Sequence, residues 1–409
     1  MKRAYENLLL SYLREFPCVA LIGVRQCGKT TLLETLPANW KRYDLERRAD
    51  YQIVSGDPDA FFRLNPRRVA IDEAQILPDI FPALRVAIDG QRQERGRFVI
   101  TGSSSPALLR SVSESLSGRI AVIEMAPFSW EEATATTGQD TFIGRLQDRK
   151  AQAGTLVAGL KPRGDLALVH DYWFRGGYPE PWLRAGETFR THWIEQYLQS
   201  YLNRDVRRLF PALDDLRFRR FLEMLGGLSG RVLNFSEVAR ALGVSQPTAR
   251  DYFDIADGTF LWRTIPAWAK DTIKRTVKHP RGYMRDSGLL HALLRIPDQD
   301  ALLSHPQMGG SWEGMVVEEI LRQLNSHGVP HEFSYYRTGG GAEVDLVLEG
   351  NFGLVAFEIK HATTVPAREL KSMRDFVAGH GARLGVIINN DIAPRLLDDR
   401  MIGLPFAFL

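Results

Sequence analysis

Over the first 127 residues, short apolar runs alternate with segments whose apolar residues recur every three or four positions. CVALIGV, RRVAID and RFVITG each read as a buried strand, and the stretches between them carry helical spacing. That alternation is the signature of a parallel sheet with crossover helices. From Ser129 to about Leu228 the pattern turns helical, with EQYLQSYLNRDVRRLF and FRRFLEMLGGL repeating apolar residues at three-to-four spacing and Gly154 to Gly164 as the loosest stretch. SEVARALGVSQPTARDYFDIA then predicts two helices around a tight turn at Gly243, with Ser236 and Ser245 as N-caps. Farther on, GSWEGMVVEEILRQL reads as a helix, and YYRTGGGAEVDLVLEGNFGLVAFEIKH as two strands joined by a hairpin turn around Asn351 and Gly353. The expected class is α/β in four segments, residues 1–128, 129–228, 229–290 and 291–409.

The most pointed chemistry is in GVRQCGKTT, Gly23 to Thr31, which lies between the first strand and a helical run and fits G-x-x-x-x-G-K-[ST]. Such a loop turns its backbone N–H groups onto phosphates. Gly23 and Gly28 let the chain turn and approach closely, Lys29, expected as a surface cation, meets the β and γ oxygens, and the Thr30 hydroxyl can hold Mg²⁺. Val24, Arg25, Gln26, Cys27 and Thr31 complete the cradle, and the helix starting near Lys29 aims its positive end at the same anion. ATP and Mg²⁺ are the expected cofactors.

Hydrolysis needs one acid to organise the metal and another to orient water. RRVAIDEAQ supplies Asp72 for the first role and Glu73 for the second. RFVITGSSS ends its strand in Thr101 and Ser103; Ser103 is the preferred sensor of the γ-phosphate, with Thr101 next. SLSGRI places Arg119 where an arginine can reach a neighbouring subunit's γ-phosphate, and Arg25 is a second cation able to touch phosphate or the strand-end acids.

Together GVRQCGKTTL, VAIDEAQ, ITGSSS and SLSGRI resemble a large prokaryotic family of AAA-type ATPases that carry a C-terminal domain of unknown function. The likeness runs along almost the whole chain, through FRGGYPE at Phe174 to Glu180, YLNRDV at Tyr201 to Val206, the helix-turn-helix stretch, RDSGLL near Asp286 and the distal EVD…EIK pair. Val24 and Cys27 stand where relatives often have Pro and a small or aliphatic residue, at positions whose side chains do not serve phosphate. The resemblance implies a P-loop ATPase core followed by a winged helix and a nuclease-like α/β fold, and the helical pattern over 129–228 reads as a lid-like region between them.

The second helix of the helix-turn-helix would present Gln246, Thr248 and Arg250 to a DNA groove. KDTIKRTVKHPRGYMR adds Lys270, Lys274, Arg275, Lys278, His279, Arg281 and Arg285, a basic stretch suited to phosphates. The same features also suit a protein-docking spacer and a solvated face. In the distal third, Asp345 lies on one strand and Glu358 with Lys360 on the next, and alternation puts Glu358 and Lys360 on one face. The upstream helix can add Glu313 or Glu318, with Glu313 preferred. This set resembles the PD-(D/E)xK, restriction-endonuclease-like fold, which implies metal ligation by Asp345, Glu358 and Glu313 and positioning of water by Lys360. A solvated hairpin with one ion pair would satisfy the pattern equally, and burial distinguishes the two.

A chain of 409 residues with 44% hydrophobic and 25% charged residues is an ordinary multidomain globular protein. Its apolar runs are shorter than a membrane span, and two cysteines make no disulfide framework, so a cytoplasmic location is expected. Net charge of +3 does not itself point to nucleic acid. The expected function is ATP binding and hydrolysis by a homo-oligomer that binds and remodels DNA, branched duplex included, with a distal fold open to two roles, metal-dependent cleavage or binding without cleavage. The alternative is a nucleotide-gated switch or scaffold for protein partners, with an inert distal fold.

Overall fold

The computed structural model describes residues 2–103, 116–184, 186–207, 210, 213–269 and 279–409. They form two compact units, Met1–Phe128 with Gly258–Phe260 and Asn325–His327, and Ser129–Asp257 with Leu261–Leu324 and Gly328–Leu409.

The first unit runs α1 (Tyr5–Glu15), β1 (Cys18–Gly23), α2 (Lys29–Glu34), β2 (Lys41–Asp44), α3 (Arg48–Ser55), α4 (Pro58–Leu64), β3 (Val69–Asp72), α5 (Ile80–Gly90), β4 (Phe98–Ser103) and β5 (Ile120–Met125). All its strand pairs are parallel, in the order β2-β3-β4-β1-β5. Val19, Leu21, Val69, Ala70, Val99 and Ile100 are sealed from solvent, which is why these runs are apolar without alternation. The strand order puts β4 between β1 and β3. The end of β4 thus stands between the loop leaving β1 and the acids leaving β3.

The second unit opens with helices, among them Leu166–Arg175, Glu187–Ser200 and Asp215–Leu228. YLNRDV continues the middle one as a π-helical turn, Tyr201–Val206. The motifs FRGGYPE and RDSGLL, far apart in sequence, meet here. A Cβ at Gly288 would lie 2.1 Å from Arg175 O, and one at Gly176 would lie 2.3 Å from Asp286 Oδ1. Gly177 N donates to the second oxygen of Asp286 at 2.9 Å, while Asp286 also caps the helix Ser287–Leu293 through Leu289 N.

Two helices, Phe235–Leu242 and Gln246–Gly258, flank the turn at Gly243. Ser245 accepts from Thr248 N at 3.2 Å as expected of a cap, but the first cap is Asn234 and not Ser236, because Asn234 Oδ1 already takes the N–H groups of Ser236 and Glu237. β6 (Arg231–Val232), β7 (Trp262–Ile265) and β8 (Arg281–Met284) form an antiparallel sheet in the order β6-β8-β7.

The distal strands β9 (His331–Arg337), β10 (Glu343–Gly350), β11 (Gly353–Ile359), β12 (Leu384–Asn389), β13 (Arg395–Asp398) and β14 (Met401–Pro405) make a mixed sheet ordered β13-β14-β12-β11-β10-β9. Pairing of Gly350 with Gly353 leaves Asn351 and Phe352 as a two-residue hairpin turn, as the sequence predicts. Val344, Val347, Ala356 and Ile387 pack with Met373, Phe376 and Val377 of the helix Lys371–His380. The β9–β10 register slips between Val344 and Val347, a bulge beside Asp345.

Candidate functional site

The loop from Gly23 to Gly28 is set by close packing and by two left-handed residues. Gly23 is pressed on β5, where a Cβ would lie 2.1 Å from Met125 O. Gln26 (φ 61°) and Gly28 (φ 96°) are both left-handed, the kind of turn that gathers successive N–H groups into an anion nest. Val24 and Cys27 are buried and Thr31 is exposed. α2 spans only six residues, so the cradle rests on the nest and Lys29 more than on a macrodipole.

Lys29 is 5% exposed, and not the surface cation expected from the sequence. Its ammonium donates to Gly23 O at 3.0 Å and to Val24 O at 2.9 Å, folding the side chain back along its own loop. Thr30 Oγ1 donates to Asp72 Oδ2 at 2.7 Å. The buried Thr101 hydroxyl donates to Asp72 Oδ1 and accepts from Glu73 N at 3.2 Å. Hydrogen bonds therefore link Thr30, Asp72, Thr101 and Glu73 in one chain, as the position of β4 requires.

Of the two sensor candidates, Thr101 joins this chain; β4 ends at Ser103, whose side chain lies outside the described structure. The Glu73 carboxylate accepts from Gln75 Nε2, a partner that sequence reasoning missed although it stands two residues away. Arg25 Nη2 lies 3.8 Å from Glu46 Oε1. Arg119 forms a two-pronged pair with Asp89 of α5, Nε to Oδ1 at 2.7 Å and Nη2 to Oδ2 at 2.9 Å.

The distal candidates do converge, around a residue assigned elsewhere by the sequence. Arg281, read as part of a basic face, is buried among the carboxylates. Its Nη1 lies 2.6 Å from Glu313 Oε1 and 3.4 Å from Asp345 Oδ1, its Nη2 pairs with Glu343, and its guanidinium sits 5.1 Å from the Tyr335 ring centre. Tyr283 OH also donates to Glu313. Asp345 Oδ2 takes Ile359 N at 2.9 Å, and Lys360 Nζ lies 2.7 Å from Glu358 Oε1.

Burial, then the charge of Asp345, raises the Glu313 and Glu358 carboxyls well above the ordinary range. Glu358 Oε2 is buried without a hydrogen-bond partner among the described residues. Burial would lower Lys360, but the charge and hydrogen bond of Glu358, with the charges of Asp345 and Glu313, together outweigh it and raise the ammonium. Glu318 is turned to Arg263 and Arg285, so Glu313 is the upstream acid of the cluster.

These residues do not fit a metal centre. The Arg281 guanidinium occupies the carboxylates that a divalent ion would need, and among the described residues no group of three or more His, Cys, Asp or Glu side chains is placed to hold one. As placed, Glu313 and Asp345 are held by Arg281 and Glu358 by Lys360.

On the helix-turn-helix, Gln246 and Arg250 are exposed, and Arg250 stands 5.0 Å from the ring centre of Phe235. Thr248 is engaged by Ser245, Oγ to Oγ1 at 2.8 Å. Lys270, Lys274, Arg275 and Lys278 lie outside the described residues. Arg285 is buried against Glu318 and, like Arg281, is withdrawn from any basic face.

A parallel sheet, a phosphate-binding loop after β1 and paired acids after β3 define the first unit as an AAA-type P-loop ATPase domain, and a family model described as "AAA domain" matches residues 15–134. Two models described as domains of unknown function, DUF8612 and DUF4143, match residues 166–300 and 308–408. The chain belongs to the family of the uncharacterized protein Rv2008c of Mycobacterium tuberculosis, with 32% identity over 354 residues that cover 86% of this chain and 72% of that protein. The uncharacterized protein Mb2031c of Mycobacterium bovis matches to the same extent. Among solved structures, the RuvB Holliday junction branch migration motor of Thermotoga maritima is 20% identical over 64% of this chain and 89% of its own, at a TM-score of 0.31. A STAND ATPase with a tetratricopeptide repeat sensor from Pyrococcus horikoshii is 12% identical over 79% of this chain and 49% of its own, at a TM-score of 0.27. These structural likenesses are loose, and the family match carries the assignment. Among the described residues no helix is long and apolar enough to cross a membrane.

Proposed function

We propose that the chain is a Mg²⁺-dependent ATPase whose nucleotide cycle acts on DNA through the helix-turn-helix and the basic stretch that follows it. The hydrogen-bonded chain of Thr30, Asp72, Thr101 and Glu73 carries the catalytic part of this reading. A hydroxyl and a carboxylate oxygen 2.7 Å apart are hard donors that suit a divalent cation, so Thr30 and Asp72 would hold Mg²⁺. When bound, the ion neutralises charge on the β- and γ-phosphates. Lys29 would exchange the carbonyls of Gly23 and Val24 for phosphate oxygens. Glu73 would orient the attacking water and accept its proton as the bond between the γ-phosphorus and the bridging oxygen breaks, releasing ADP and phosphate. Thr101 steadies both acids, and Ser103 stays a candidate contact to the γ-phosphate. Arg119, released from Asp89, would serve the neighbouring subunit of a homo-oligomer.

Exposed Gln246 and Arg250, with Lys274, Arg275 and Lys278 in the sequence beyond, support contact with DNA. Exposed Asp251 and Asp254 on the same helix oppose phosphate and favour the second reading, a nucleotide-gated protein-docking switch. The cation-filled distal cluster supports a fold that does not cleave.

The deciding experiment measures ATP turnover of the wild type and Lys29→Ala, with Mg²⁺, with and without a branched DNA duplex, at low and moderate salt, and runs the same samples on a gel. Lys29→Ala should lose at least about a hundredfold in turnover. DNA should stimulate the wild type, the stimulation should fade with salt, and no strand should be cut. Turnover indifferent to DNA, with no binding, transfers the assignment to the protein switch.

A further inference from the structure

Arg3 is 5% exposed, and nothing in the sequence around it signals a role. Its guanidinium lies 5.1 Å from the ring centre of Phe128 and 5.4 Å from that of Tyr5. Nη2 donates to Ala126 O at 2.8 Å, one residue past β5, and Nη1 donates to Cys27 O inside the phosphate loop. The Tyr5 hydroxyl accepts from Ala126 N at 3.2 Å. One cation thus ties the far end of the loop to the end of β5. Gly23, at the near end, is already packed on Met125 of the same strand.

A trans peptide points its C=O and N–H in opposite directions. With Cys27 O held by Arg3, the Gly28 N–H of that peptide is turned away from the guanidinium. A Cβ at Gly28 would lie 3.0 Å from Nη1, a tight contact, and the left-handed φ of 96° there also favours glycine.

We propose that Arg3 is a positioning residue for the nucleotide, fixing the Cys27–Gly28 peptide so that its N–H faces the phosphates. The inference rests on the nucleotide-site reading of Gly23 to Thr31. Lysine does not replace this group, because it keeps the charge but loses the planar fork that reaches two carbonyls and the face that stacks on the rings.

The test uses the full chain as wild type, Arg3→Lys and Arg3→Ala. It measures affinity for fluorescent ADP, KM and kcat for ATP, and melting temperature with and without ADP. Arg3→Ala should weaken ADP and raise KM by roughly ten- to hundredfold with kcat changed by less than about threefold, and the ADP-induced rise in melting temperature should shrink. Arg3→Lys should fall between, and it decides the matter alone if Arg3→Ala does not fold. Wild-type ADP affinity in the variants, with only a lowered melting temperature, would make Arg3 a brace for the fold and overturn the inference. A wild type that binds no ADP defeats the underlying site reading instead, and that arm needs no variant.

Discussion

The phosphate loop and the distal cluster are both made of acids and cations near strand ends, and they handle charge in opposite ways. Lys29 rests on two main-chain carbonyls and Asp72 on two hydroxyls, and among the described residues neither is joined to an opposite charge. In the distal cluster Arg281 and Lys360 sit directly on Glu313, Asp345, Glu343 and Glu358. Neutral partners release their charges readily to an incoming ion or phosphate. Buried opposite charges do not, since separating them strands each in a poor solvent. The spacing of acids and a lysine along the chain is therefore insufficient to define a working centre; what holds each acid decides.

The most severe way to break the contrast is Arg281→Ala, which leaves Glu313, Asp345 and Glu343 facing one another. Urea unfolding should show a loss of about 3–5 kcal/mol. Mn²⁺ should restore part of that loss in the variant and leave the wild type unmoved. Stabilisation of the wild type by Mn²⁺ would mean that arginine and metal do not compete.

Acid should expose a second weakness confined to the second unit. His291 Nδ1 donates to Phe174 O at 3.0 Å and its Nε2 lies 2.6 Å from Ser311 Oγ, and burial, with Arg190 and His305 assisting, pushes its pKa down from 6.5 to about 4. The unfolded chain then takes up the proton first. Stability is untouched above pH 6.5 and declines as pH falls toward 4, by about 3 kcal/mol from this group. His291→Gln should remove that part of the pH dependence, read as the difference between the two unfolding profiles. Parallel profiles would refute the assignment.

The mildest probe sharpens the first site. Thr101→Val removes one hydroxyl from the chain and leaves Asp72 and Glu73 N each short of a partner, for roughly a tenfold loss in kcat with ADP affinity held. A loss of ADP affinity at constant kcat would place Thr101 in binding and not in turnover.

The first site was largely legible because its parts follow strands of unmistakable character. CVALIGV and VAID announce β1 and β3, and a glycine-bounded loop or an acid pair at such an end has few meanings. What escaped was contact across long separations. Arg281 meets Asp345 across 64 residues, and Arg3 meets Cys27 across 24, with no periodicity to mark either. Lys29 looked exposed because a loop cation is ordinarily solvated, yet its own loop supplied acceptors. The choice between Glu313 and Glu318 turned on helical phase: five residues apart, they point to different neighbours, Arg281 for one and Arg263 with Arg285 for the other. Thr101 and Ser103 share a strand face, so alternation alone left both open.

The joint between FRGGYPE and RDSGLL has a consequence for how variation in this family is interpreted. Its two backbones, 109 residues apart at Gly177 and Asp286, approach so closely that a single added methyl at Gly176 or Gly288 has no room. A saturation library would therefore show two narrow bands of intolerance well separated in sequence from the phosphate loop. Those bands would carry the statistical look of an active centre while reporting only a seam where two main chains touch.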